Sequence, residues 1–297
     1  MTTTVHIPVM LEESMLVLGP KDGGVYVDGT LGGGSHTEAL LKASAPHGRV
    51  FSFEIYPDAL ASAEQRLHAY RDRWEGIEAN FAFFADELER RGVTAVDGVL
   101  LDLGFSSDEL EDPRIGLSFL QEGVLDMRLG PKANTDGLTA AEVVNTWDVQ
   151  ALTELFETYG DEKYAFRIAK AIERARREAY IVSTTKLAEV VTAAVSERYE
   201  HGRIHPATRV FLALRTLVNE ELEHIRAAVQ QAERILVPGG RLAIITFQSI
   251  EDRLVKKLFQ QPGWVAPDPQ PLPPSVEECE RNPRARSAKL RYAEYRP

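Results

Sequence analysis

The segment Asp28-Gly29-Thr30-Leu31-Gly32-Gly33-Gly34-Ser35-His36 constrains this chain more than any other stretch. It follows the apolar run Val25-Tyr26-Val27 and precedes Thr37 to Lys42, whose pattern is helical. Strand, glycine-rich turn and helix together form the unit with which an α/β fold presents bare backbone to a nucleotide-like ligand. Without a Cβ at Gly32 or Gly34, a ligand can approach the main chain closely. A second strand, Arg49-Val50-Phe51-Ser52-Phe53-Glu54, ends in a carboxylate able to accept both hydroxyls of a ribose. An adenosine-containing cofactor is therefore expected. Asp28, at the end of the first strand, repels a pyrophosphate and suits the ammonium group of a methionine moiety. The alternative for Asp28 is a purely local cap on the turn.

Further strands are expected at Ile77-Ala79, Gly98-Leu101 and Arg241-Phe247. Helical spacing separates the early ones, as in Asp58-Tyr70, so the fold class is α/β with a mostly parallel sheet. The alternation stops after Asp102-Leu103. From about Glu109 to His205 the chain is helical in pattern, with Asp148 and Ser183 as candidate N-terminal caps. One long helix is expected from Pro206 to Leu236, stopped by Pro238-Gly239-Gly240. The expected organisation is thus a sheet domain of residues 1–108 and 206–297, interrupted by a helical insertion of residues 109–205.

Charge and cysteine usage narrow the function classes. The formal net charge of −11 argues against non-specific attraction to nucleic acid. Two segments run against that balance: Lys163, Arg167, Lys170, Arg174, Arg176 and Arg177, and then Arg281, Arg284, Arg286, Lys289 and Arg291. Each reads either as a solvated face or tail, or as a contact for RNA. The single cysteine, Cys279, excludes an internal disulfide and a multi-cysteine zinc site. No stretch is apolar enough to cross a bilayer, and the first residues lack the features of a signal peptide, so a cytoplasmic protein is expected. His36 has no partners at zinc-binding spacing, and no metal is expected.

Asp102 ends the fourth strand after Leu100-Leu101, at the edge where open α/β sheets bind ligands. Phe247-Gln248-Ser249-Ile250-Glu251-Asp252 follows the fifth strand and faces the same edge. Several ordered segments resemble the RsmH (MraW) family of bacterial small-subunit ribosomal RNA methyltransferases. They include His6-Ile7-Pro8-Val9-Met10, Asp28 to His36, Asp97 to Ser107, Leu125-Asp126-Met127-Arg128, Tyr159-Gly160-Asp161-Glu162 and His205-Pro206-Ala207-Thr208-Arg209. Ala213-Leu214-Arg215, Val218-Asn219, Phe247 to Asp252 and Asn282 to Ala288 continue the match, which spans almost the whole chain.

The resemblance implies a class I methyltransferase (Rossmann-like) sheet with an inserted helical domain for substrate recognition. It implies transfer of a methyl group from S-adenosylmethionine to the exocyclic N4 of a cytidine in the decoding centre of 16S ribosomal RNA. The small ribosomal subunit would be the partner, and a homodimer is one option for the assembly. The implied cofactor contacts are Gly34, Ser35 and His36, Glu54 on the ribose, Phe81 beside the adenine, and Asp102 and Glu109 close by. For the base, Asp102, Ser106, Ser107, Gln248 and Ser249 are the candidates, with Asp102, Ser106 or Gln248 orienting the amine. Arg128, Arg215, Arg284 and Arg286 are candidates for RNA phosphates; for Arg128 and Arg215 the alternative is an internal ion pair with Asp126 or Glu220. The chain departs from the family's usual residues at Gln248, where histidine is usual, at Glu54, where aspartate is usual, and at Glu109 and Leu212, where glutamine is usual. These departures carry the rival reading, a cofactor-holding ribosome assembly factor with weakened turnover. A nicotinamide oxidoreductase with a similar turn is a second rival, and methylation of DNA or a small molecule a third.

Overall fold

The computed structural model describes residues 8–105, 110, 112–130, 137–195, 199 and 204–297, and in it the run before the glycine turn is strand β1 (Val25–Asp28). β2 (Arg49–Glu54), β3 (Trp74–Glu78), β4 (Val96–Asp102) and β5 (Leu236–Thr246) join it in parallel. β6 (Trp264–Val265) and β7 (Lys289–Tyr295) add an antiparallel edge, giving the order β3-β2-β1-β4-β5-β7-β6. Strand order reverses between β1 and β4, and that reversal opens a crevice at the carboxyl ends of the strands. Tyr26, Val50, Leu100, Ala243 and Ile245 share one buried cluster. The alternating residues Val27, Phe51, Val99, Leu101, Leu242 and Ile244 are equally buried. Both sheet faces are therefore covered, which is why the strands read as near-continuous apolar runs instead of alternating ones. This is the class I methyltransferase fold.

The helices of this unit are α1 (Leu11–Leu18), α2 (Ser35–Ala43), α3 (Pro57–Leu67) and α4 (Phe84–Arg90), with three more to follow. Pro57 opens α3, where its missing N–H is no loss.

The second unit is helical: α5 (Ala140–Thr146), α6 (Val149–Gly160), α7 (Ala165–Glu178), α8 (Thr184–Ala194) and α9 (Ala207–Val218). Its core is built from residues such as Leu152, Phe156, Ile168, Ile172, Val191, Phe211 and Leu214. Asp148 caps α6 through the Ala151 N–H, and Ser183 caps α8 through the Lys186 N–H, as the sequence predicts. The two compact units are residues 1–104 with 222–297, and residues 105–221. The expected insertion ended at His205; contacts carry it to Glu221, because Val210, Phe211 and Leu214 of α9 bury themselves in the helical core.

Three more expectations are corrected. The long helix from Pro206 to Leu236 is two helices, α9 and α10 (Glu221–Ile235). The chain breaks at Asn219, whose amide bonds Met127 O, Arg215 O and Leu129 N, and at Glu220, whose φ is 50°. Pro238-Gly239-Gly240 does not precede the strand but interrupts it: β5 pairs through Leu236, skips, and resumes at Arg241 opposite Gly98. The basic C-terminal stretch is not a free tail, since Lys289 and Arg291 lie in β7. There Arg291 donates to Asp252 of α11 (Ser249–Leu258) at 2.6 Å. Burial works against the charge on Asp252, but the hydrogen bonds from Arg291 and Lys289 hold its carboxyl below the usual range. The last helix of this unit is α12 (Val276–Arg281), followed by a 3₁₀ turn at Pro283–Ser287.

Candidate active site

The glycine turn is a backbone construction. Gly29 N–H donates to Leu100 O, Leu31 N–H to Phe53 O and Gly34 N–H to Leu31 O, which ties the turn to β4 and β2. Gly32 and Gly34 have φ of 46° and 75°, the left-handed region that favours glycine. A Cβ on Gly32 would meet no heavy atom within 4 Å, so its backbone faces open space, while Gly34 sits against Leu67. The tip at Gly32 and Gly33 is exposed, and Gly34, Ser35 and His36 turn inward to start α2.

Three acids stand at the strand ends. Glu54 ends β2 and accepts the N–H groups of Gly32 at 3.1 Å, Ile55 at 2.9 Å and Tyr56 at 3.0 Å. Asp28 ends β1 fully buried; it accepts the Thr37 hydroxyl at 2.7 Å and the Thr30 N–H at 3.2 Å. Burial pushes its pKa up, against the pull of His36. Asp102 ends β4, with its N–H donated to Thr30 Oγ1 at 2.7 Å. Burial lifts the Asp102 carboxyl to about 6; His36 lowers it, and Asp28 and Glu278 raise it further.

His36 links this rim to the N-terminal segment. A carbonyl can only accept, so the contact of Nε2 with Val9 O at 3.1 Å places the ring hydrogen on Nε2. Nδ1 then faces Asp102 Oδ2 at 3.8 Å. Next to Val9, the Met10 N–H donates to Glu278 at 2.7 Å.

Among the described residues, two buried side-chain polar atoms have no hydrogen-bond partner, Asp102 Oδ1 and Gln248 Oε1. A buried polar atom without a partner costs free energy, so a ligand is the natural explanation. Both atoms belong to the carboxyl rim. Asp102 ends β4 and pairs in register with Ile245 of the neighbouring β5; Gln248 follows β5 and is the N-cap residue of α11.

The chain matches the profile of the MraW methylase family over residues 3–296. It belongs to that family. Its relatives include the ribosomal RNA small subunit methyltransferase H of Thermomicrobium roseum, 45% identical over 98% of this chain and 94% of the relative. A second, of the same name, is from Synechococcus sp., 47% identical over 97% of this chain and 91% of the relative. Among solved structures the chain is similar to an rRNA methylase from Streptococcus thermophilus (12% identity, 99% and 100% coverage, TM-score 0.45).

The residues present fit S-adenosylmethionine, the cofactor of this methylase family. The open backbone at Gly32, the rim acid Glu54 and the orphaned Asp102 Oδ1 are donors and acceptors suited to an adenosyl methionine group. Phe81 lies beside the turn, its Cβ 3.1 Å from where a Cβ on Gly29 would stand. Not every expected contact is a direct one. The carboxylate of Asp28 is closed off by Thr37 and Thr30, so it holds the turn instead of meeting an ammonium group. The Ser35 hydroxyl accepts Arg66 Nη1 at 2.9 Å. His36 is 5% exposed and uses its ring on Val9 and Asp102.

Ser106, Ser107 and Glu109 lie outside the described residues. Ser249 is exposed and is the first residue of α11, not its cap; Glu251 closes that end by accepting the N–H groups of Phe247 and Gln248. Arg128 and Arg215 belong to the helical unit. Each is in an ion pair at 2.7 Å, with Asp126 and with Glu221, the latter one residue from the expected Glu220. Arg215 also lies 4.1 Å over the Phe105 ring. Arg284 and Arg286 are exposed in the 3₁₀ turn.

Two residues escaped the sequence reading. Arg66 clamps the turn from α3, donating to Gly33 O at 2.8 Å as well as to Ser35. Thr30 joins the ends of β1 and β4 through one hydroxyl and its N–H. Thr30 stands inside the glycine motif and was legible there; Arg66 is one of many helix-surface arginines and gave no signal.

Proposed function

We propose that this chain transfers the methyl group of S-adenosylmethionine to the exocyclic N4 of a cytidine in 16S ribosomal RNA, with the helical unit recognising the small subunit. The single observation that carries the reading is the pair of orphaned acceptors, Asp102 Oδ1 and Gln248 Oε1, at the ends of adjacent strands in a family methylase. The names of the relatives supply the ribosomal RNA and the small subunit, and a cytoplasmic setting suits that substrate. No helix among the described residues is long and apolar enough to cross a membrane.

The bound cofactor supplies an electrophilic methyl group on a sulfonium. Cytosine N4 is a poor nucleophile because its lone pair is delocalised into the ring. An acceptor that draws an N4 hydrogen out of the ring plane localises that pair, and Asp102 Oδ1 is suited to do so. Gln248 Oε1 offers a second acceptor for the same amine. Glutamine holds a hydrogen bond but exchanges no proton near neutral pH, so it positions and does not act as a base. The methylated nitrogen is strongly acidic and loses its proton to water without a dedicated base. The rival of a turnover-weakened assembly factor is not favoured, because both acceptors stand ready at the rim. The base must leave its stack to reach it, which an unpaired RNA loop makes easier.

The deciding experiment incubates the protein with methyl-labelled cofactor and small subunits from cells lacking this activity. Label on cytidine N4 is the expected result; label elsewhere, or none, refutes the reading. Because Asp102 accepts best when ionised, transfer should rise with pH through about 6 and level off above it. A flat profile between pH 5 and 8 would remove Asp102 from the role.

A further inference from the structure

The solvent face of α7 carries a feature that the active site does not use. Lys163, Arg167, Lys170, Arg174 and Arg177 are all exposed and follow one another at intervals of four, three, four and three residues. That spacing places Arg167, Lys170, Arg174 and Arg177 on one stripe of the helix, about 15 Å long at 1.5 Å per residue, with Lys163 in the turn just before it. The opposite face, with Ala165, Ile168, Ala169 and Ile172, is buried in the helical core.

Left alone, the stripe opposes the helix that bears it. Like charges three and four residues apart repel. The first turn itself holds no acidic residue, so Arg167 stands near the positive end of the helix dipole, which the Glu162 carboxylate meets through the Tyr164 N–H at 2.8 Å. Glu173 pairs with Lys170 at 3.5 Å and Arg177 at 3.1 Å, both at the surface. Among the described residues Arg167 and Arg174 have no acidic partner. All this occurs in a chain of net charge −11. A regularly spaced polyanion relieves every one of these repulsions.

Exposed aromatic rings flank the cations: Tyr164 is 41% exposed, Phe166 60% and Tyr180 56%. Lys170 lies 5.9 Å over the Phe166 ring. Cations interleaved with exposed rings suit a strand that offers both phosphates and bases. An anionic membrane surface fits less well, because the apolar face of α7 is already committed to the core and none remains to enter a bilayer.

We infer that this stripe is a docking surface for the RNA sugar–phosphate backbone, with Tyr164 and Phe166 placed to stack on unpaired bases. The inference rests on the proposed ribosomal RNA substrate and locates where the RNA is gripped.

The test compares the protein with the triple variant Arg167→Gln, Lys170→Gln, Arg174→Gln. All three sites are exposed, and glutamine is a good helix former. Binding to unmethylated small subunits is measured across a salt series, alongside S-adenosylhomocysteine affinity and the thermal midpoint. Expected are at least tenfold weaker binding at 0.1 M salt and a slope of log K against log salt shallower by about two, for three lost phosphate contacts. Cofactor affinity and midpoint should stay at wild-type values. The charge-preserving variant Arg167→Lys, Lys170→Arg, Arg174→Lys should keep the slope.

Unchanged affinity and slope in the triple variant overturn the stripe, even while the wild type still methylates the subunit. Stripe-dependent binding to phosphatidylglycerol vesicles with unchanged subunit binding overturns it too, in favour of a membrane. A wild type that transfers no methyl group refutes the proposed function, and the binding comparison then decides the stripe by itself.

Discussion

Asp102 and Asp252 are acids of the same unit, one at the end of β4 and the other in the first turn of α11, and their surroundings are opposite. Asp252 is held by Arg291 at 2.6 Å and Lys289 at 3.2 Å, and its pKa is lowered despite burial. Asp102 has one carboxylate oxygen with no partner and the other 3.8 Å from His36, and its pKa is raised to about 6. The fold had the means to satisfy a buried acid and used it at the corner between β7 and α11. Leaving Asp102 unsatisfied therefore marks the place where stability is given up for a ligand.

The largest effect should come from Asp102→Asn. Methyl transfer should fall at least a hundredfold, measured with labelled cofactor and small subunits. The same change should raise the thermal midpoint at pH 8. A carboxyl with a raised pKa takes up its proton in the folded chain below about 6 but in the unfolded chain only below about 4. Its ionised form thus costs stability above pH 6, on the order of 3 kcal/mol at most, and the cost vanishes as pH falls toward 4. A midpoint that drops at pH 8 would erase the contrast with Asp252.

Arg291→Met should act in the other direction. It leaves Asp252 with the longer Lys289 contact at 3.2 Å and should cost about 2 kcal/mol in denaturant unfolding. Adding Asp252→Leu should recover most of the loss, and S-adenosylhomocysteine affinity of the folded protein should not move. If affinity collapses with Arg291→Met alone, the two regions are not separable.

Gly34→Ala sharpens the boundary of the rim. The residue has φ of 75°, and a Cβ would stand 3.3 Å from Leu67. The expected cost is about 1–2 kcal/mol, with weaker cofactor binding by calorimetry. Ser183→Ala, in the helical unit, should cost only about 1 kcal/mol from its lost cap and leave cofactor affinity alone.

The rim was legible because its parts are local in sequence. Asp28, Glu54 and Asp102 each end an apolar run, and a strand followed by glycines or a helix leaves few alternatives. Asp148 and Ser183 were legible for the same reason, a capping oxygen just before helical periodicity. What escaped depends on distant partners. β7 alternates in Leu290-Arg291-Tyr292-Ala293 and reads as a basic tail until Asp252 is seen to neutralise Arg291. The break between α9 and α10 contains neither glycine nor proline; it is made by the Asn219 amide reaching Met127 and Leu129, which sequence spacing does not reveal. For Arg128 and Arg215 the sequence left two readings, and the ion pairs with Asp126 and Glu221 show the internal one.

The position of β7 between β5 and β6 also orders events during synthesis. Residues 289–295 are translated after every other strand, yet they cover the long flank of β5. Until they emerge, β5 exposes unpaired main-chain groups from Arg241 to Thr246, a ready template for a neighbouring nascent chain. Premature termination before Lys289 would therefore produce a species prone to clump, not merely one lacking an edge.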